Sequence, residues 1–320
     1  MCKPCTYFEK HNTHRKPFHQ VIAVTILGNN SAVPAHNRHP TAQVLQTAEH
    51  FVLIDCGEGT QMQMRQYKIR KSRINHIFIS HLHGDHYFGL VGLLNTFALN
   101  HRTNDLHIYA PAKLKSIIEI QMEVTETRFP YQLLFHNLEK EEILFDDKTL
   151  SVECFKVNHR IECWGFLFRE KKNLRKIIPQ QTKKYNVPQS FYEQLHKGLD
   201  FINEHNQVIK NEILTVAVEP PKSYAYCADT AFYDPIAEKI HGVDLVYHES
   251  TYLDELSQKA GERFHSTSRQ AAMIAAKAGA KKLLLGHFSS MYENLDEFKT
   301  EAQSTFENTE IAEEGVCYLA

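Results

Sequence analysis

The sequence has no excess of positive charge: 36 Lys and Arg stand against 38 Asp and Glu, for a formal net charge of −2. The chain is therefore not a polycation, and any grip on nucleic acid has to come from a local basic patch. No apolar run approaches the length of a membrane span. The stretch from Met1 to Gln20 is polar and has no apolar core of a secretory leader. These absences predict a cytoplasmic protein with no membrane contact. Cysteine is sparse and scattered, seven residues in all, which fits a reduced compartment better than a disulfide framework. Cys2 and Cys5 form a lone Cys-x-x-Cys without a second pair, so residues 1–20 read as a polar N-terminal tail. There is no sequence repeat and no low-complexity tract.

What is present is ordinary globular material: 320 residues, 42% hydrophobic and 23% charged. That is enough for one large domain or two modest ones with a sizeable core. The 20 histidines are the one compositional prompt to look for a metal site.

Apolar strands are expected over residues 21–27, 51–55, 74–80, 150–157, 223–228, 244–247 and 282–285, and helices over 61–67, 117–124 and 268–278, the last closed by Gly279. One pattern recurs: a strand ends in a turn that carries His or Asp. Sheets covered by helices place functional residues there, where loops converge. Residues 168–210 differ in character. They are polar and Lys-rich, interrupted by Pro179 and Pro188, and are expected to form an inserted arm.

The strongest signal is His81-Leu82-His83-Gly84-Asp85-His86, directly after a strand. Four potential ligands in six residues are a poor way to build a core, because buried His and Asp cost several kcal/mol, on the order of 2–7, when unpaired. On a turn they can converge on cations, with His81 and His83 on one side and Asp85 and His86 facing a second ion. His159, Asp229 and His287 follow the same strand-end pattern and complete a two-metal set, with Asp229 able to bridge through its two oxygens. His and Asp suit zinc, and also manganese or iron.

This order, His-x-His-x-Asp-His followed by His, Asp and His, resembles the metallo-β-lactamase superfamily. Ser80 to Leu94, the Asp55–Gln61 turn, His248-Glu249-Ser250-Thr251, His265-Ser266-Thr267 and Gly286 to Ser290 resemble ribonuclease Z in particular. The blocks run in family order from about residue 21 to 292. The resemblance implies an α+β, four-layer αββα sandwich over residues 21–320, with a substrate-binding arm inserted at about 168–210. It implies two zinc ions per subunit, other divalent metals being possible. His81, His83 and His159 would hold the first, and Asp85, His86 and His287 the second, with Asp229 between them. The implied activity is removal of the 3′ trailer from precursor tRNA by a metal-activated water, leaving a 3′ hydroxyl. Asp85 would take the water's proton. His265, oriented by Glu249, would protonate the leaving oxygen; the plainer alternative is a helix-entry residue beside a capping Ser266 or Ser268. The implied assembly is a homodimer.

Asp55 either accepts a hydrogen bond from a ligating histidine or stabilises its turn. Lys171, Lys172, Arg175, Lys176, Lys183 and Lys184 are candidates to grip tRNA phosphates; the plain alternative is a solvated charged face. Met291 stands where the family usually has Arg. A small-molecule or general phosphodiesterase on the same fold would share the metal set without needing the arm.

Overall fold

The computed structural model describes residues 22–171, 175–217 and 220–320; the 1–20 tail with Cys2 and Cys5, and the candidate Lys172, lie outside the described residues. The first half supplies strands β1 (Ala23–Gly28), β2 (Ala42–Gln46), β3 (Phe51–Ile54), β4 (Ile74–Phe78), β5 (Leu106–Ala110) and β6 (Leu133–Asn137). The second half supplies β7 (Ile143–Asp146), β8 (Leu150–Lys156) and β9 (Trp164–Glu170). Four two-residue strands follow: β10 (Lys176–Ile177), β11 (Phe201–Ile202), β12 (Val208–Ile209) and β13 (Thr215–Val216). The chain then forms β14 (Ser223–Cys227), β15 (Leu245–Glu249), β16 (Lys282–Gly286), β17 (Thr309–Ile311) and β18 (Cys317–Leu319).

Two seven-stranded sheets result, ordered β18-β1-β2-β3-β4-β5-β6 and β17-β16-β15-β14-β9-β8-β7. In each, one side is antiparallel and the other parallel: β3 to β6 run parallel, as do β14 to β17. The last strand returns to the first sheet and pairs with β1, which ties the two halves together.

Three apolar layers hold this arrangement. Between the sheets, Ile26, Val52, Ile54 and Phe78 of one face meet Trp164, Phe166, Phe168, Tyr226 and Tyr247 of the other. The outer face of the first sheet is covered by helices including Leu90–Leu99, which buries Leu90, Leu93, Leu94 and Phe97 at one-face helical spacing. The outer face of the second sheet is covered by helices including Ser268–Ala278. That helix buries mainly alanines, so it lies close to the strands. The layers are therefore helix, sheet, sheet, helix, which is the expected αββα sandwich.

Three expectations need adjustment. The helix expected at 117–124 begins earlier, at Lys113, because Leu114 and Ile118 together form its buried stripe. The cap of helix Ser268–Ala278 is Thr267, in a reciprocal capping box with Gln270, rather than Ser266 or Ser268; Ser266 Oγ donates instead to the Thr230 carbonyl. The segment taken as arm from residue 168 starts too early. β9 continues to Glu170, with Phe168 fully buried between Val152 and Tyr224, and its polar neighbour Arg169 hid that alternation in the sequence. From residue 175 the chain forms two short ribbons, β10 with β13 and β11 with β12, around a separate cluster of Val187, Leu195, Phe201, Ile209 and Leu214. The pairing of Lys176 with Val216 brings both ends of this segment together beyond the end of β9 and the start of β14, neighbouring strands inside the second sheet.

Candidate metal centre

The carboxyl ends of β3, β4, β8, β14, β15 and β16 open on one edge of the sandwich. Asp55 follows β3, and His81, His83, Asp85 and His86 follow β4. His159 follows β8, Asp229 follows β14, Glu249 ends β15, and His287 follows β16. All seven side chains singled out by spacing converge here, in two groups. His81, His83, His159 and Asp229 bring one ligand atom each within 4.8 Å of one another, and so do Asp85, His86 and His287. Asp229, His265 and His287 form a further such group.

The distances within the groups test the fit. His83 Nδ1 lies 3.0 Å from His81 Nε2 and 3.2 Å from His159 Nε2, and Asp229 Oδ2 lies 3.5 Å from His81 Nε2. In the second group His86 Nε2 and His287 Nε2 are 3.3 Å apart, and Asp85 Oδ2 is 3.5 and 3.4 Å from them. A tetrahedral zinc with bonds of about 2.0–2.1 Å spaces its ligand atoms about 3.3–3.4 Å apart. Asp229 faces both groups, with Oδ2 towards the first and Oδ1 3.3 and 3.2 Å from His86 and His287. Despite that proximity Asp229 Oδ1 makes no hydrogen bond of acceptable geometry and is buried. A buried carboxylate oxygen without a donor is satisfied by a cation lying between it and the two nitrogens.

The outer nitrogens set the tautomers, because neutral imidazole donates from one nitrogen and accepts at the other. His86 Nδ1 is 2.7 Å from Asp55 Oδ2, so in the neutral ring that a bound cation requires the proton sits there and Nε2 carries the lone pair. His159 Nδ1 donates to the Phe264 carbonyl at 2.9 Å. His287 Nδ1 faces Thr251 Oγ1 at 3.0 Å, and that hydroxyl donates to Glu249 Oε2. His81 Nδ1 faces Ser80 Oγ, which donates to Asp55 Oδ2. Four lone pairs thus point inward at one another and at carboxylates, an arrangement that calls for cations.

Charge balance agrees. Among the described ion pairs, Asp85 and Asp229 meet histidines alone. Burial opposes ionisation of Asp85, but His86 and His287 hold its carboxyl well below the ordinary range. Burial likewise opposes charge on His86, and Asp229, Asp85 and Asp55 overcome it, raising its pKa well above that of free imidazole. The pocket of acids attracts positive charge to the place where a metal would lie.

Several supporting residues were not legible in the sequence. Tyr226 donates its hydroxyl to Asp55 Oδ2 at 2.6 Å from the opposite sheet. Thr251 links His287 to Glu249. The Ala32 amide donates to Asp85 Oδ2 at 2.7 Å, from a loop that Arg38 fastens to the carbonyls of Tyr292 and Glu293. Nothing in local spacing joins residues so far apart. Asp55, Phe264 and His287 also hold φ values of 55°, 58° and 58°, in the left-handed region. Such strain, about 1–2 kcal/mol per residue, persists only where the surroundings over-determine it.

His265 sits at the rim. Its Nδ1 lies 2.9 Å from Glu249 Oε1, which is fully buried. Burial lowers the proton affinity of His265, but Glu249 more than offsets this and raises its pKa to about 9. With Nδ1 on Glu249, Nε2 is the nitrogen available to the open cleft of about 520 Å³ that His265 lines with Asp85, His159, Asp229 and His287. Of the arm cations, Lys176, Lys183 and Lys184 are exposed. Lys171 pairs with Asp146, and Arg175 donates to Thr215 Oγ1, so these two are engaged within the protein. Met291 presents its side chain to solvent in the loop after His287.

The turn after β3 is locked to the ligand loop backbone on backbone. Cys56 N donates to the His86 carbonyl, and Gly89 N donates to the Cys56 carbonyl. A Cβ on Gly57 would lie 2.4 Å from the Asp85 carbonyl oxygen and 2.7 Å from Pro40 Cβ. We predict that Gly57→Ala costs about 1–3 kcal/mol of stability and lowers bound metal, because the loop that moves carries Asp85. A variant with unchanged melting temperature and metal content would show that the turn has slack.

This fold and this edge site define a metal-dependent hydrolase of the metallo-β-lactamase fold. The family described as "Beta-lactamase superfamily domain" matches residues 191–288, and that described as "Anti-Pycsar protein Apyc1" matches residues 22–174. Ribonuclease Z of Parabacteroides distasonis is 42% identical over 295 residues, 92% of this chain and 97% of that protein. Ribonuclease Z of Bacteroides fragilis is 40% identical over 294 residues, covering 91% and 97%. The crystal structure of human tRNase Z, short form, superposes with a TM-score of 0.67 at 27% identity, covering 92% of this chain and 98% of that one. The chain belongs to the ribonuclease Z family.

Proposed function

We infer that this chain is an endoribonuclease that removes the 3′ trailer from precursor tRNA and leaves a 3′ hydroxyl. The observation that carries the reading is the double ligand set with Asp229 turned towards both halves, in a chain that matches ribonuclease Z over nearly its full length. His81, His83 and His159 would hold one zinc ion, Asp85, His86 and His287 the other, and Asp229 would span them. Other divalent ions suit the same donors. Bound there, the ions lower the pKa of water and offset negative charge on the phosphoryl oxygens.

The chain's own groups do the rest. Asp85, held by the Ala32 amide, orients the attacking water and takes its proton. Glu249 fixes His265 so that its Nε2 carries a proton to the departing 3′ oxygen. The insertion around residues 175–217 acts as the tRNA-binding arm through Lys176, Lys183 and Lys184, with Lys171 and Arg175 at its base; Lys172, the other candidate, lies outside the described residues. The protein works as a homodimer in the cytoplasm; Met62 and Leu99, 70% and 79% exposed on the helical layer over the first sheet, support a partner surface. No helix of the described residues is long and apolar enough to cross a membrane.

The test is a side-by-side assay of labelled precursor tRNA and a chromogenic small diester. The paired ends of the insertion allow residues 175–217 to be replaced by a few Gly and Ser, since strand partners lie about 5 Å apart. We expect that replacement to raise KM for precursor tRNA about ten-fold or more and to flatten its salt dependence. Small-diester hydrolysis should change little, because all seven proposed ligands lie outside the insertion. Unchanged tRNA cleavage would make the insertion a charged surface feature. Intact protein that hydrolyses small diesters but never tRNA would be a general phosphodiesterase.

A further inference from the structure

The residue after His159 is an arginine that makes no ion pair among the described residues. Arg160 lines the same cleft as Asp85, His265 and His287. Among the described residues its one hydrogen-bonding contact is from Nη2 to His83 Nε2, at 3.1 Å. That contact is incompatible with the role of His83. Its Nδ1 points inward, 3.0 and 3.2 Å from His81 Nε2 and His159 Nε2. For Nδ1 to offer a lone pair to a cation, the imidazole proton must sit on Nε2. A protonated Nε2 cannot accept from a guanidinium. Once the first group holds its ion, Arg160 therefore loses its partner. It stays charged, since guanidinium does not deprotonate in proteins.

A cation left without an acceptor beside a centre that would hold two more cations is unfavourable until an anion arrives. Phosphodiester oxygens match the planar fork of guanidinium donors, and the resulting bonds are charge-assisted. Arg263 lies along the same cleft, also without an ion pair among the described residues, so the lining outside the ligand set carries two arginines against one acid, Glu262. The cleft is open rather than enclosed, which suits a chain running through it.

We propose that Arg160 grips the RNA backbone at the active site, within one linkage of the scissile bond, and that metal loading releases it from His83 for this purpose. This deepens the ribonuclease reading and rests on it.

The test compares wild type, Arg160→Met and Arg160→Lys, all metal-loaded. Probes are oligoribonucleotides spanning the cleavage junction, made uncleavable by a methylene group in place of the bridging 3′ oxygen. In separate probes one non-bridging oxygen is replaced by methyl at the scissile linkage, at either neighbour, or at a distant control linkage. Dissociation constants are read by fluorescence anisotropy, with metal content and melting temperature measured alongside. We expect Arg160→Met to weaken the control probe about ten-fold or more and Arg160→Lys to weaken it less. With one of the three local linkages neutralised, the Met variant should bind within about two-fold of wild type. A loss that persists at full size with every local linkage neutralised overturns the proposal, as does no loss at all. Because affinity is read, a wild-type protein that fails to cut precursor tRNA would overturn the ribonuclease reading separately, and the Arg160 comparison would still decide.

Discussion

Asp85→Ala should lower hydrolysis of precursor tRNA and of small diesters alike by at least about 10³-fold, within the range that loss of a positioned proton acceptor produces. It should also reduce bound metal from near two ions per chain towards one. The reason is its position: Asp85 Oδ2 accepts from the Ala32 amide and lies within 3.5 Å of both His86 Nε2 and His287 Nε2, so its removal strips one corner of the second ligand group. Seven donors are too many for one tetrahedral ion, and the first group does not use Asp85. Metal analysis and single-turnover rates on the same preparation check both halves of the claim. Full activity with two ions retained would end the two-metal reading.

The second large effect is selective. His265→Ala should slow RNA cleavage about 10²-fold or more, yet slow hydrolysis of a bis(nitrophenyl) phosphodiester less than about ten-fold. A ribose 3′ alkoxide is a poor leaving group and needs a proton, whereas a nitrophenolate leaves largely unaided. His265 touches the cleft and is fixed by buried Glu249, so Glu249→Gln should reproduce part of the selective loss. Glu249 also accepts from Thr251, which contacts His287, so metal content must be measured in that variant. Equal losses on both substrates would mean that His265 positions the site rather than protonating the leaving oxygen.

The side chains that converge at the strand ends were readable because His159, Asp229 and His287 each sit one to three residues past an apolar strand and the His81–His86 run directly follows another, a local pattern that periodicity exposes. His81, His83, Asp85 and His86 were the clearest, since four such residues in six have no use as core. Glu249 and His265 drew their reading from resemblance, and their contact joins the end of β15 to a turn 16 residues later. The polar, Lys-rich character of the segment after β9 was legible in composition, but the end of β9 was not. β9 is apolar on both faces up to Phe168, with Phe166 and Phe168 between the sheets and Leu167 in the outer layer, and the charged pair Arg169 and Glu170 at its end masked its last residues.

The fold class came from resemblance to a family; the sequence by itself determined seven of the strands, three of the helices and the residues able to bind metal. These follow from spacing of apolar and ionisable side chains over a few residues, which the chain carries locally. The tertiary structure alone decided which nitrogen of each histidine faces inward, that Asp229 divides its two oxygens between the groups, and that Tyr226, Thr251, Ala32 and Arg160 attend the site. Those facts depend on contacts between residues up to 202 positions apart. Such contacts are set by how two sheets pack face to face and which loops meet at their common edge, and short-range pattern in the chain carries no record of them.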